Sequence, residues 1–255
     1  MKSLSRAAGS VPVPRRSLVR GAAWAVPVLA AAAPAPALAA SPCTTLTSGS
    51  LVWSNASQYT RTSANRGDGS IPLGSSGTTV GVAIESTFTG YTAYTQTPAN
   101  LSVLATVGNT GAAGLTFTQV ASSAAVTNNP ASNQTIKFTF TQAVYNVSFL
   151  LTDLDYNATQ YLDGIAITGA TFTSSVPSGS TVIGSGTAAA PFKTSGTAAF
   201  DNSTSAAGNV RITFAGPIST FSIVYWNLMT TPTATTLSQG TWLGTMTLQG
   251  YPLSC

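Results

Sequence analysis

The sequence predicts an all-β fold, an antiparallel β-sandwich or jelly roll of about a dozen short strands, preceded by a cleavable signal peptide. Three observations predict it. Apolar residues recur with period two along the chain, as where Val80, Val82, Ile84 and Phe88 alternate with Gly81, Ala83, Glu85 and Thr87. Beyond the leader there is no apolar stripe of helical period and useful length. Gly, Ser, Asn and Pro punctuate the apolar runs at turn-like intervals.

The leader comes first. Lys2, Arg6, Arg15, Arg16 and Arg20 precede the apolar run Gly21 to Ala33, and Ala37-Leu38-Ala39 closes it as an A-x-A cleavage site. The tract Pro14-Arg15-Arg16-Ser17-Leu18-Val19-Arg20 resembles the twin-arginine export motif, with Pro14, Leu18 and Arg20 departing from it. The apolar run is well short of the roughly 20 residues of a spanning helix, and Pro27 interrupts it, so no stable membrane anchor is expected. Residues 1–39 are thus expected to be the signal peptide and residues 40–255 a single β-sandwich domain, working outside the cell or at its surface.

Strands are expected near Leu51 to Trp53, Val80 to Phe88, Leu101 to Ala105, Leu115 to Val120, Gln134 to Thr141, Val144 to Thr152, Asp163 to Phe172, Gly208 to Ala215, Ile218 to Trp226 and Thr241 to Leu248. The segment from Ile136 aligns without gaps on the segment from Val210: Ile136, Phe138 and Phe140 match Val210, Ile212 and Phe214. Each copy turns as a hairpin or corner at Gln142-Ala143 or Gly216-Pro217, by a pseudo-repeat or by common β patterning. Ser174 to Asn209 and Met229 to Gly240 read as long surface connections.

Removing the leader inverts the charge. The remaining Arg61, Arg66, Lys137, Lys193 and Arg211 stand against Asp68, Glu85, Asp153, Asp155, Asp163 and Asp201, a net charge of −1. Nucleic acid therefore loses its attraction and is not an expected partner. Charged residues make up 6% of the chain, far below the average of about 25%, so hydroxyls and amides must form most of the polar surface. Cys43 and Cys255 stand at the two ends of the mature chain, and export predicts a disulfide between them, worth up to about 5 kcal/mol in the chain-entropy model.

The chain contains no His, which removes Ser-His and Cys-His nucleophile pairs and ordinary zinc sites. Chemistry is left to Asp153-Leu154-Asp155-Tyr156-Asn157 and Asp163. Asp153 and Asp155 continue the strand parity of Tyr145, Val147, Phe149 and Leu151, while Asp163 shares that of Ile165 and Ile167. In that register three carboxylates converge at the rim of the core. Carboxylates so placed require a cation or many donors, and calcium, which takes six to eight oxygens, suits Asp153, Asp155, Asn157 and Asp163. A solvated loop with carboxylates capping N–H groups is the alternative. The flanking strands, Ala158 and Gly164 do not support an EF-hand. A glycosidic acid pair is a third reading: positions two apart on a strand are separated by about 6.6 Å, against roughly 5 to 5.5 Å in retaining enzymes.

Sugar binding without catalysis needs aromatic faces beside hydrogen-bonding groups. Tyr145 and Tyr225 read as core by parity, which leaves Tyr156, Tyr161 and Trp226 as candidates. Arg66-Gly67-Asp68 is the tripeptide of integrin ligands and reads equally as a Gly-rich turn.

The run Val147-Ser-Phe-Leu-Leu-Thr-Asp-Leu-Asp155, with Phe138-Thr-Phe140 before it and Asp163-Gly-Ile-Ala-Ile-Thr-Gly169 after it, resembles a pattern in exported bacterial surface modules. It looks like the lectin-like and MAM-like jelly rolls of bacterial adhesins. The resemblance covers roughly residues 134 to 170 and implies a secreted or surface-associated module, without naming its ligand. The expected function is non-catalytic binding of a glycan or another cell-envelope component. A self-assembling envelope protein is the alternative, and a glycoside hydrolase using an Asp pair comes third.

Overall fold

The computed structural model describes residues 43–253. The expected leader, with Arg15, Arg16 and Ala39, lies outside the described residues, as does Cys255. Strands dominate: β1 (Thr47–Leu51), β2 (Tyr59–Arg61), β3 (Arg66–Pro72), β4 (Thr79–Thr89), β5 (Tyr91–Ala93) and β6 (Val103–Leu104) come first. The central elements are β7 (Gly114–Ala121), β8 (Asn133–Thr152), β9 (Tyr156–Asn157), β10 (Tyr161–Thr168) and β11 (Thr173–Ser175). There follow β12 (Val182–Ile183), β13 (Lys193–Thr194), β14 (Val210–Phe214), β15 (Ile218–Asn227), β16 (Ser238–Leu243) and β17 (Met246–Gly250).

The fold is the expected antiparallel sandwich, and β8 organises it. Residues 133–140 of β8 lie between β4 and β15 in a sheet of order β2-β3-β4-β8-β15-β10-β9, here called sheet one. Residues 145–152 lie in sheet two, between β14 on one side and β17 with β16 on the other. β11 flanks β14, β1 flanks β17, and β7 flanks β16. The two strands expected at Gln134 and Val144 are therefore one strand that changes sheets at a corner. Asn146 takes a left-handed φ of 48° there, which Asn tolerates better than most residues.

The second copy of the repeated pattern makes the same corner. β14 and β15 run antiparallel along β8, from Val210 opposite Leu151 to Tyr225 opposite Gln134, and pass from sheet two to sheet one. Their bend needs Gly216: φ is +87°, and a Cβ would fall 2.7 Å from the Val144 carbonyl oxygen. Four phenylalanines from these arches meet between the sheets. Phe221 stacks on Phe138 at 4.7 Å and on Phe149 at 5.5 Å, and Phe214 lies 4.8 Å away. All four are buried.

Other details depart from expectation. Arg66-Gly67-Asp68 opens β3, and Arg66 bridges Asp68 and Glu85, each at 3.0 Å. The run Thr241 to Leu248 is broken at Gly244 into β16 and β17. The Ser174 to Asn209 connection holds the β12-β13 hairpin and the buried Phe192, which bridges to Ile165. Cys43 is buried and is not a free thiol.

Candidate functional site

Asp153 closes β8, and its backbone redirects the chain beyond that strand. Its φ of +65° is left-handed, a conformation Asp adopts more readily than most side chains. This residue ends the alternation: Leu154, rather than Asp153, next enters the main apolar core. The expectation that Asp153 and Asp155 extend the core-facing parity of Leu151 is corrected here.

The carboxyls nonetheless gather. Asp155 and Asp163 are 1% and 0% exposed, and Asp153 is 8% exposed. The Asp155 N–H donates to Asp163 Oδ2 at 3.1 Å, and Tyr225 Oη donates to Asp163 Oδ1 at 2.6 Å. The Phe200 N–H donates to Asp155 Oδ2 at 2.7 Å. Burial, reinforced by Asp155 and Asp201, pushes the Asp153 carboxyl up to about 8. Burial likewise raises Asp155, against the pull of the Phe200 N–H, and holds Asp163 well above the usual carboxylate range. Asp153 Oδ1 is buried without a hydrogen-bond partner, and Asp155 Oδ1, which has none of good geometry, faces the Tyr161 phenol that interacts with the Asp155 carboxyl. Among the described residues no three acidic or Cys side chains converge on one cation-sized centre.

The remaining expected residues divide. Asn157 accepts from the Thr159 N–H and hydroxyl, each at 3.1 Å, so its side-chain oxygen closes its own turn. Tyr161 is half-buried and its phenol feels the charges of Asp163 and Asp155; Tyr156 is half-buried in β9. Trp226 is 1% exposed and packs with Tyr91, Ala121, Ala166 and Leu237 in a second apolar cluster. It presents no face to a sugar, because that cluster covers the side of β15 opposite the main core. Tyr225 is core as expected, whereas Tyr145 is half-buried against Tyr251.

A second surface emerges that no motif announced. On the outer side of sheet two, Ser50, Thr247, Ser148, Thr213 and Thr173 are successive register partners across five strands. Their neighbours Leu51, Met246, Val147 and Phe149, and Ile212 point into the core, so all five hydroxyls face outward. The row is about 19 Å long from the spacing of strands. Ser148 Oγ and Thr213 Oγ1 share a hydrogen bond of 3.1 Å.

Three grooves border this row: one of about 240 Å³ beside Ser148 and Thr247 carries Arg211, and the other two both include the exposed Asn146. The first of these two, of about 550 Å³, is floored by Phe172 and Ile218 and edged by Thr171, Thr173, Thr213 and Thr220. The second, of about 640 Å³, is edged by Ser48, Ser50, Gln58, Thr247 and Gln249. No ionisable side chain lines either of these two. The Asn146 amide donates to Gln249 Oε1 at 2.6 Å, joining the two.

Searches against protein-family models, curated proteins and solved structures found no match to this chain.

Proposed function

We propose that this chain is an exported, non-catalytic binding module that takes a neutral glycan, or another uncharged cell-envelope component, on the outer face of sheet two. The observation that carries the reading is the in-register hydroxyl row between two grooves without ionisable groups. A polyhydroxylated ligand exchanges hydrogen bonds with Ser, Thr, Asn and Gln without desolvating a charge, and the half-buried Phe172 supplies an apolar floor. The low charge of the chain and its resemblance to lectin-like jelly rolls of bacterial adhesins point the same way. The site accordingly moves from Tyr156, Tyr161 and Trp226 to the outer face of sheet two, which β8 crosses at Ser148. The Asp153–Asp155 pair is a poor acid pair, since both carboxyls are buried and Asp155 is tied to Phe200 and, through its N–H, to Asp163.

The test is affinity electrophoresis and calorimetry with a panel of neutral and acidic polysaccharides, on wild type and on Thr213→Lys and Thr247→Lys. Binding to a neutral polysaccharide that both substitutions abolish, with the melting temperature preserved, is expected. Retention of full binding by both variants, or binding to acidic members alone, overturns the assignment. Self-association of the wild type in sedimentation, lost in the same variants and without glycan binding, selects the envelope-assembly alternative.

A further inference from the structure

The acidic end of the molecule has a different chemistry from the outer face. Four residues on two adjoining segments each bury a side-chain oxygen with no hydrogen-bond partner of good geometry: Thr152 Oγ1, Asp153 Oδ1, Asp155 Oδ1 and Asn209 Oδ1. Their exposures are 0%, 8%, 1% and 3%. A buried acceptor without a donor is destabilising by about 1–3 kcal/mol, and by more when it is charged. Two carboxyl oxygens, an amide oxygen and a hydroxyl in one region form a donor set that a cation or ordered water would satisfy.

Their proximity is fixed by backbone contacts. The Leu154 N–H donates to the Gly208 carbonyl at 3.1 Å, which sets residues 152–155 beside residues 208–209. Gly208 lies against Asp153 so closely that a Cβ would come 3.0 Å from the Asp153 Cα. From the other side, a Cβ placed on Gly108 would meet the Thr152 methyl and Cβ and come 2.8 Å from Asn209 Oδ1, so the Thr152 and Asn209 side chains lie beside one another under Gly108. The Asn209 amide nitrogen is already committed to the Gly108 carbonyl at 2.8 Å, which leaves its oxygen as the free end. The charged groups acting on Asp153 are carboxylates, Asp155 and the exposed Asp201.

We propose that a hard cation, calcium by its ligand chemistry, binds where residues 152–155 meet residues 208–209, held by Asp153 and Asp155 with the neutral oxygens of Thr152 and Asn209. Two carboxylates, an amide oxygen and a hydroxyl supply four of the six to eight oxygens that calcium takes, and water or backbone carbonyls complete the shell. The flexible mixture suits calcium better than magnesium, which demands near-ideal octahedral geometry. This ligand set differs from the one expected from sequence. Asn157 is spent on its own turn, and both Asp163 oxygens accept hydrogen bonds, so Asp163 positions Asp155 from behind. The occupant replaces the missing donors and relieves the repulsion between Asp153, Asp155 and Asp201. The site is independent of what the outer face binds.

The experiment is calorimetric titration of chelator-treated protein with calcium chloride alone, together with thermal melts. One calcium per chain is expected, with a rise in melting temperature that sodium chloride of equal ionic strength does not reproduce. Asp153→Asn and Asn209→Ala should each weaken binding by about tenfold or more, while Asn157→Ala leaves it unchanged. No bound calcium and no thermal shift in the wild type overturns the proposal, whether or not the variants fold. Loss of binding in Asn157→Ala equal to that in Asp153→Asn overturns the ligand assignment.

Discussion

Tyr225 and Asp163, on neighbouring strands of sheet one, are joined by a 2.6 Å hydrogen bond in which the phenol donates to Asp163 Oδ1, and both residues are fully buried. The bond ties the last core aromatic of β15 to the first acid of β10. It marks the level at which the interior of the sandwich changes from apolar to polar. Removing the donor by Tyr225→Phe leaves a buried carboxyl oxygen without its partner. A loss of about 1–3 kcal/mol is expected, read as a lower denaturant midpoint at unchanged slope.

In chelator, stability should fall as pH rises. The Asp153 carboxyl titrates at about 8 in the fold against 3.8 as its ordinary value. Between those values the folded chain holds a proton that the unfolded chain releases. The contribution of the neutral carboxyl is therefore present at low pH and is lost as pH climbs toward about 8. Melts in chelator should show a lower melting temperature at about pH 8 than at about pH 5. Asp153→Asn, which keeps the left-handed backbone accessible, should flatten that slope; a steeper slope in the variant would contradict the role given to this carboxyl.

The corner of the second arch depends on Gly216. Alanine there must adopt φ near +87° and place its Cβ against the Val144 carbonyl and the Tyr145 Cα. The backbone conformation alone should cost about 1–3 kcal/mol. Gly77 is the control, because it too has a positive φ but a Cβ added to it would meet no atom within 4 Å. Gly77→Ala should be clearly milder in the same chemical melt.

At the centre of the arches, Phe221→Ala removes the ring that stacks on Phe138 and Phe149 and leaves a cavity. A loss of about 3–5 kcal/mol is expected in equilibrium unfolding. Phe172→Ala, at the half-buried groove floor, should be much less destabilising.

The strands of this fold are legible in the sequence because both sheets bury one face, which imposes period two on β4, β8, β14 and β15. What is not legible arises from single backbone angles and from coverage. The left-handed turn at Asp153 breaks the alternation, and Asp-Leu-Asp gives no pattern that tells which of the three residues enters the core. Trp226 alternates correctly with Tyr225, yet both are buried, because a second apolar cluster covers the far side of β15. Thr152 and Asn209 lie 57 positions apart and carry no motif; only the pairing of β8 with β14 brings their segments together. The hydroxyl row is assembled from one residue on each of five strands, so it too has no local signature.

The passage of β8 through both sheets also governs how the molecule can come apart. Its residues 133–140 are the inner partner of β4 and β15, and its residues 145–152 are the inner partner of β14, β16 and β17. Opening either sheet therefore frees one half of the strand whose other half is the centre of the second sheet. Amide protons on the two halves of this strand are thus expected to exchange at one shared, slowest rate, and a backbone cut between residues 142 and 143 would release both layers together.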